Sequence, residues 1–324
     1  MDDRASIPVS LNHEPPKESA AHGPHQAVIQ GGGLMRAAAI ASVSVATVLI
    51  ITKFAAWLMT DSVSLLSTLL DSFLDAAASL INLYAVHQAL QPADREHRFG
   101  HGKAEPLASL AQAAFICGSA VLLLVQAGER LAHPRDVVNT EIGYAVMVFS
   151  IVLTIMLVIF QRYVVRKSGS IAIDADSLHY KTDVLINLGV MVSLFLSSYF
   201  AWQYADPLIA ILIALYIVKG AWEIGNSALA ILMDRELEDT DRQKIRDIVM
   251  AHKEVKGLHD LRTRSSGVHV FIQFHLELDG SMKLKEAHDI SEEVEQELMD
   301  AFPNAEVIIH EDPEGVEEMR ASFR

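Results

Sequence analysis

The sequence predicts an all-α six-helix transmembrane bundle followed by a small cytoplasmic α+β domain of order α-β-β-α-β, ferredoxin- or metallochaperone-like. Three observations predict it. Six apolar windows, at about 34–59, 63–90, 105–130, 142–162, 172–200 and 207–231, reach the roughly 20 residues that a membrane helix needs. Residues from 234 onward return to ordinary soluble composition, although the whole chain is 51% hydrophobic. Within that polar tail, residues 269–278 set Val270, Ile272, Phe274, Leu276 and Leu278 on one face and His269, Phe271, Gln273, His275 and Glu277 on the other, the period of a half-buried strand. The boundaries expected are a disordered leader at 1–33, the bundle at 34–233, the tail domain at 234–313 and an end segment at 314–324.

The leader is polar, contains Pro15-Pro16 and Gly31-Gly32-Gly33, and has no basic segment followed by an apolar run, so it does not read as a cleaved signal peptide. Its His13, His22 and His25 read as solvated. Lys and Arg in the short connections set the orientation. The 60–62 and 201–206 connections have none, and the 131–141 connection adds Arg135, with Arg130 at its edge. The 91–104 connection carries Arg95, Arg98 and Lys103, and 162–171 carries Arg162, Arg166 and Lys167. Both termini and the tail are therefore expected in the cytoplasm. Trp57, Trp202 and Tyr204 fall at the outer edges, where interfacial aromatics belong.

The second window carries Asp71 and Asp75, four residues apart and so on one helical face. The fifth carries His179 and Asp183 at the same spacing. Ionisable groups at such depth need a partner. The second and fifth helices run antiparallel, and at about 1.5 Å per residue both pairs fall well inside the bilayer, where they can meet. Three carboxylates and an imidazole suit a divalent cation, zinc first, and fit calcium or magnesium less well. The competing reading is a structural polar network with Lys53, Asn82 or Asn187 as partners.

The 91–104 connection holds Asp94, His97 and His101, with Gly100 and Gly102 for a tight bend, so one loop can wrap a cation; solvated histidines or headgroup contacts are the alternative. In the tail, a helix at about 239–252 precedes a strand at about 255–264, the alternating strand, a helix with Leu284, Ala287, Ile290, Val294 and Leu298 at helical spacing, and a strand at Val307–His310. His259, His275, His288, His310 and Asp312 lie on neighbouring elements of this module and suggest bound metal. His133, His252 and His269 have no obvious partners.

Net charge is −15, and from Asp234 onward 12 basic against 23 acidic residues give −11, which argues against nucleic acid as a partner. A single cysteine, Cys117, leaves neither a disulfide framework nor a thiolate metal site. No Walker-type loop is present. An intramembrane metalloenzyme is disfavoured, since four protein ligands fill a tetrahedral shell and no His-Glu-x-x-His helix exists. A membrane metal sensor signalling through the tail is the other alternative.

The Asp-x3-Asp and His-x3-Asp helices, together with Gln91-Pro92-Ala93-Asp94, Phe99-Gly100-His101-Gly102-Lys103-Ala104-Glu105, His259-Asp260-Leu261-Arg262-Thr263-Arg264 and Ile308-Ile309-His310-Glu311-Asp312-Pro313, resemble the cation diffusion facilitator family, in its bacterial YiiP (FieF) type. The resemblance spans about 34–313. It implies a homodimeric Zn²⁺ exporter of the bacterial inner membrane, not an enzyme, working as a Zn²⁺/H⁺ antiporter by alternating access, with H⁺ as coupling ion. It implies a transport site at Asp71, Asp75, His179 and Asp183, a loop site at Asp94, His97 and His101, and cytoplasmic sites at His259, His275, His288, His310 and Asp312 that regulate or stabilise the dimer. It also implies a charge interlock between Lys103 and Asp234. Cd²⁺, Fe²⁺ or Mn²⁺ are alternative cargoes of the same fold; the absence of a cysteine pair in the tail argues against copper.

Overall fold

The computed structural model describes residues 24–60, 63–132, 141–200, 202 and 204–315. Six long helices come first: α1 (Pro24–Thr60), α2 (Val63–Ala89), α3 (Ala104–Ala132), α4 (Glu141–Ser168), α5 (Ile171–Phe200) and α6 (Ala205–Leu232). The tail follows as α7 (Asp239–Met250), β1 (Gly257–Ser266), β2 (His269–Leu278), α8 (Leu284–Ala301) and β3 (Ala305–Pro313).

One expected boundary is corrected. α1 begins at Pro24, so residues 24–33 of the expected disordered leader are helical. A proline suits the first helical turn, and the glycine triplet is tolerated because Gly32 lies against Leu90, where a Cβ would approach Cδ2 to 3.0 Å. Residues 1–23, with His13 and His22, lie outside the described residues, as do His133, Arg135 and residues 316–324.

Among the described residues, five helices are long and apolar enough to cross a membrane by length and composition: Gly31–Thr60, Thr68–Ala89, Ala104–Ala132, Tyr144–Ser168 and Ala205–Leu232. α5 is not one of the five; its first half carries Asp174, Asp176, Lys181 and Asp183. α3 packs most extensively along α6, α1 along α2, and α5 against α4 and α6. Small residues permit the close approaches: a Cβ on Gly189 would meet Ile213 of α6 at 2.6 Å. Between α4 and α5 the chain reverses at Gly169, whose φ of 67° is open mainly to glycine.

The tail is a three-stranded sheet of order β1-β2-β3, with β2 antiparallel to β1 and parallel to β3. The alternation read in β2 decides which face is covered. Ile272, Phe274, Leu276 and Leu278 are buried with Val294 and Leu298 of α8 and Ile245 and Val249 of α7. Leu298 is fully enclosed, so Leu298→Ala would destabilise the domain by about 2–5 kcal/mol. Phe271 departs from the pattern: it points to the polar face yet is buried, because Phe99 meets it edge-on at 5.7 Å and Arg264 lies over its ring at 4.5 Å.

Candidate metal centres

The bundle gathers Asp75 of α2 with His179 and Asp183 of α5, one ligand atom from each lying within 4.8 Å of the others. His179 Nε2 stands 3.1 Å from Asp75 Oδ1. The imidazole is buried and walled by Phe115 and Tyr180, with ring centroids at 5.9 and 5.4 Å. Helical spacing explains the pairing on α5, since positions four apart share a face. Asp71 lies one turn before Asp75, exposed on α2, and is not one of the clustered trio.

Of the three suspected structural partners, Lys53 is the one whose charge acts on Asp71, Asp75 and Asp183. Its ammonium nonetheless donates to Thr68 O at 3.2 Å and Ser72 Oγ at 2.6 Å, both on α2, and forms no ion pair among the described contacts with the site carboxylates. Asn187 donates to the backbone O of Asp183 at 2.8 Å, and Asn82 is buried elsewhere on α2.

One turn before His179 lies Asp176, whose role the sequence reading did not assign. It is fully buried and accepts from Ser42 Oγ of α1 at 2.5 Å, Gln161 Nε2 of α4 at 2.7 Å and Gln112 Nε2 of α3 at 3.3 Å. Tyr180, next along, meets Ser79 of α2 at 2.7 Å and donates to Ser42 O at 3.2 Å. The turn of α5 that carries His179 is thereby tied to the other helices through neutral groups. Its place three residues before His179, on a neighbouring part of the same helix surface, is the signal that could have found it.

In the α2–α3 loop, Asp94, His97 and His101 likewise converge within 4.8 Å. Asp94 Oδ1 accepts from the backbone N–H of His97 at 2.6 Å and of Glu96 at 2.8 Å. The His97 bond above all holds its carboxyl below the ordinary aspartate range, so it is charged at neutral pH. His101 leaves Nδ1 buried with no hydrogen-bond partner among the described residues.

In the tail the strand register sets His259, His275 and His310 side by side across the sheet. Asp312 is buried beneath them. Its Oδ2 stands 2.7 Å from His275 Nδ1 and 3.3 Å from His259 Nε2, while Oδ1 stands 3.2 Å from His310 Nε2. One carboxylate so flanked can serve two ions. Glu277, unassigned in the sequence reading, brings Oε1 to 2.7 Å of His259 Nδ1; its place two residues beyond His275 on one strand face was the available signal. His288 stands exposed on α8, outside the His259–His275–Asp312 cluster.

Lys103 donates to Asp234 Oδ1 at 2.9 Å, and Arg264, the last residue of the His259–Arg264 run, donates to the same oxygen at 3.3 Å. Partial desolvation pushes the Asp234 carboxyl up, but the two cations outweigh it and hold it below the ordinary value.

Residues 39–233 match the cation efflux transmembrane domain and residues 237–314 the cation efflux protein, cytoplasmic domain. The cation-efflux pump FieF of Shewanella oneidensis is 50% identical over 283 residues, covering 87% of this chain and 95% of that one. That of Serratia proteamaculans is 48% identical over 280 residues, covering 86% and 93%. Among solved structures, the metal-bound C-terminal domain of the CzcD transporter from Thermotoga maritima is 28% identical over 25% of this chain and 100% of its own, with a TM-score of 0.24. With both domain matches in order and relatives alike over nearly their whole length, this multi-pass membrane protein belongs to the cation efflux, or cation diffusion facilitator, family.

Proposed function

We propose that the protein exports Zn²⁺ from the cytoplasm in exchange for protons, as a homodimer in the bacterial inner membrane with both termini inside. The zinc is cargo, held in transit by Asp71, Asp75, His179 and Asp183. The observation that carries this reading is the Asp75–His179–Asp183 trio, which two helices of the bundle bring together around a buried His179. Asp71, a turn away on the same face of α2, is the fourth ligand in this reading. The printed names of the relatives, cation-efflux pumps, support export over sensing or catalysis.

Zinc binds neutral imidazole and ionised carboxylates, so loading the site displaces whatever protons it holds. Clustered carboxylates resist simultaneous ionisation while favouring a charged imidazole, and the four groups titrate as a set. Facing inward, the site gives up protons as it takes zinc. Facing outward and into a more acidic medium, protons compete the metal off. The loop and tail clusters lie off this path, and in this reading they tune or stabilise the dimer.

Zinc and proton fluxes recorded together in sealed proteoliposomes test the reading. Zinc entry accompanied by counter-movement of protons is expected. Zinc binding without flux would leave a sensor, and metal-dependent cleavage of membrane-embedded substrates would leave an enzyme.

A further inference from the structure

Lys53 lies inside the Gly31–Thr60 span of α1, half-buried, and its side chain reaches across to α2. Its Nζ donates to Ser72 Oγ at 2.6 Å and to the Thr68 backbone O at 3.2 Å. Ser72 is buried, next to Asp71 in sequence and three residues before Asp75. The charges that act on the ammonium are those of Asp75, Asp183 and Asp71, in that order. A positive charge therefore stands beside the proposed metal site, bonded among the described contacts to none of its carboxylates.

Two ordinary explanations fall short. A lysine near the end of a membrane helix can extend its stem to the water interface, but this ammonium is turned onto a neighbouring helix. A tie between α1 and α2 needs only a donor, and both acceptors are neutral. A hydroxyl or an amide would hold them without the cost of a charge inside a bilayer. The field of the three carboxylates offsets that cost, so the charge belongs with the metal site.

The same proximity acts against the cargo. A dication entering between Asp75, His179 and Asp183 meets a second positive charge close by. Seated on Ser72 and Thr68, the ammonium leaves the carboxylate oxygens open to metal. A lysine stem is flexible and its ammonium donors rotate freely, so the group can turn from these neutral acceptors to the carboxylates. We propose that Lys53 is a positioning residue for metal release: a resident positive charge, parked on Ser72 and Thr68, that weakens the hold of Asp75 and Asp183 on zinc and turns toward them as the metal departs. It acts through the ligands and touches the metal at no stage. The inference rests on the transport reading above.

The test uses the full-length protein in proteoliposomes, with initial rates measured over a range of Zn²⁺ concentrations to give half-saturation and maximal rate. The variants are Lys53→Met, Lys53→Arg, Ser72→Ala and the pair Lys53→Met with Ser72→Ala. Lys53→Met keeps an apolar stem and removes the charge, and the freed Ser72 hydroxyl can donate to Thr68 O within its own helix. Half-saturation and maximal rate should both fall about tenfold, because tighter binding slows release. Lys53→Arg keeps the charge and should stay within about threefold of the wild type in both. Ser72→Ala should move half-saturation the other way, up about threefold, because an ammonium deprived of one partner turns toward the carboxylates. In the pair that rise should vanish, since the lysine that causes it is gone. A merely structural tie gives a different signature: a lower maximal rate in Lys53→Met with half-saturation unchanged or raised. That result beside an active wild type, or a Ser72→Ala rise that persists in the pair, overturns the role of Lys53 alone. If Lys53→Met fails to assemble, Ser72→Ala carries the test, and half-saturation that does not rise there overturns the role. A wild type that moves no zinc overturns the transport reading and this proposal with it.

Discussion

The bundle trio and the tail row are built from the same groups, imidazole and carboxylate, but in opposite settings. His179 is buried and walled by aromatic rings and helices. His259, His275 and His310 lie across a sheet whose other face is a conventional apolar core, with His310 largely exposed. A ligand lost inside the bundle leaves a cation with its charge uncompensated in low dielectric, whereas at the exposed His310 water can take the vacated place and screen the charge. The difference teaches that the two sites answer differently to the loss of one ligand. In the bundle it should be fatal to transport; in the tail it should be graded.

The largest effect expected is therefore at Asp75. Asp75→Ala should abolish zinc flux while leaving a folded dimer by size-exclusion, because the remaining ligands cannot offset the cation in low dielectric. Flux at the wild-type level from this variant would remove the distinction between the two sites. Next comes the tail. Its formal charge of 12 − 23 = −11 makes two copies repel, and bound cations relieve that. Spin labels on the two tails should draw together when zinc is added, and His310→Ala should weaken the closure while transport persists at a reduced rate. A spacing indifferent to zinc would dismiss the clamp.

The loop should give a smaller change. His97→Ala with His101→Ala is expected to lower the metal content per chain and to alter transport without abolishing it; complete loss of flux with loop metal still bound would contradict an accessory role. The smallest effect is at the interlock, where Lys103 and Asp234 are partly exposed. Lys103→Ala should destabilise the joint by under about 1 kcal/mol, read as faster amide exchange in β1 and the α2–α3 loop. The Asp234 value is held down in the folded state, so its contribution is present above the ordinary aspartate value near pH ~3.9 and is lost as pH falls through the lower folded value. Exchange rates in β1 should thus be insensitive to pH around neutrality, once corrected for intrinsic chemistry, and rise only in strong acid.

The helices, the tail order and the meeting of Asp75 with His179 and Asp183 were legible because each depends on a local period. Apolar windows give helices, alternation gives β2, and a spacing of four puts His179 and Asp183 on one face. What stayed hidden depends on contacts between distant segments. Nothing local in Phe271 announces that Phe99 and Arg264 will cover it. Asp176 is bound by residues 134, 64 and 15 positions away. Pro24–Gly33 read as a leader because glycine and proline weigh against helix in isolation, while packing against α2 overrides that preference.

The measurement closest to the central claim is zinc flux at two pH values, with and without an imposed proton gradient, for the wild type and for His179→Asp. The account predicts that a gradient acidic on the outer side accelerates wild-type export, and that His179→Asp changes both the protons moved per metal and the preference for zinc, since a fourth carboxylate favours harder cations. Wild-type flux that ignores the gradient, or a His179→Asp protein with unchanged coupling and cation preference, would contradict it.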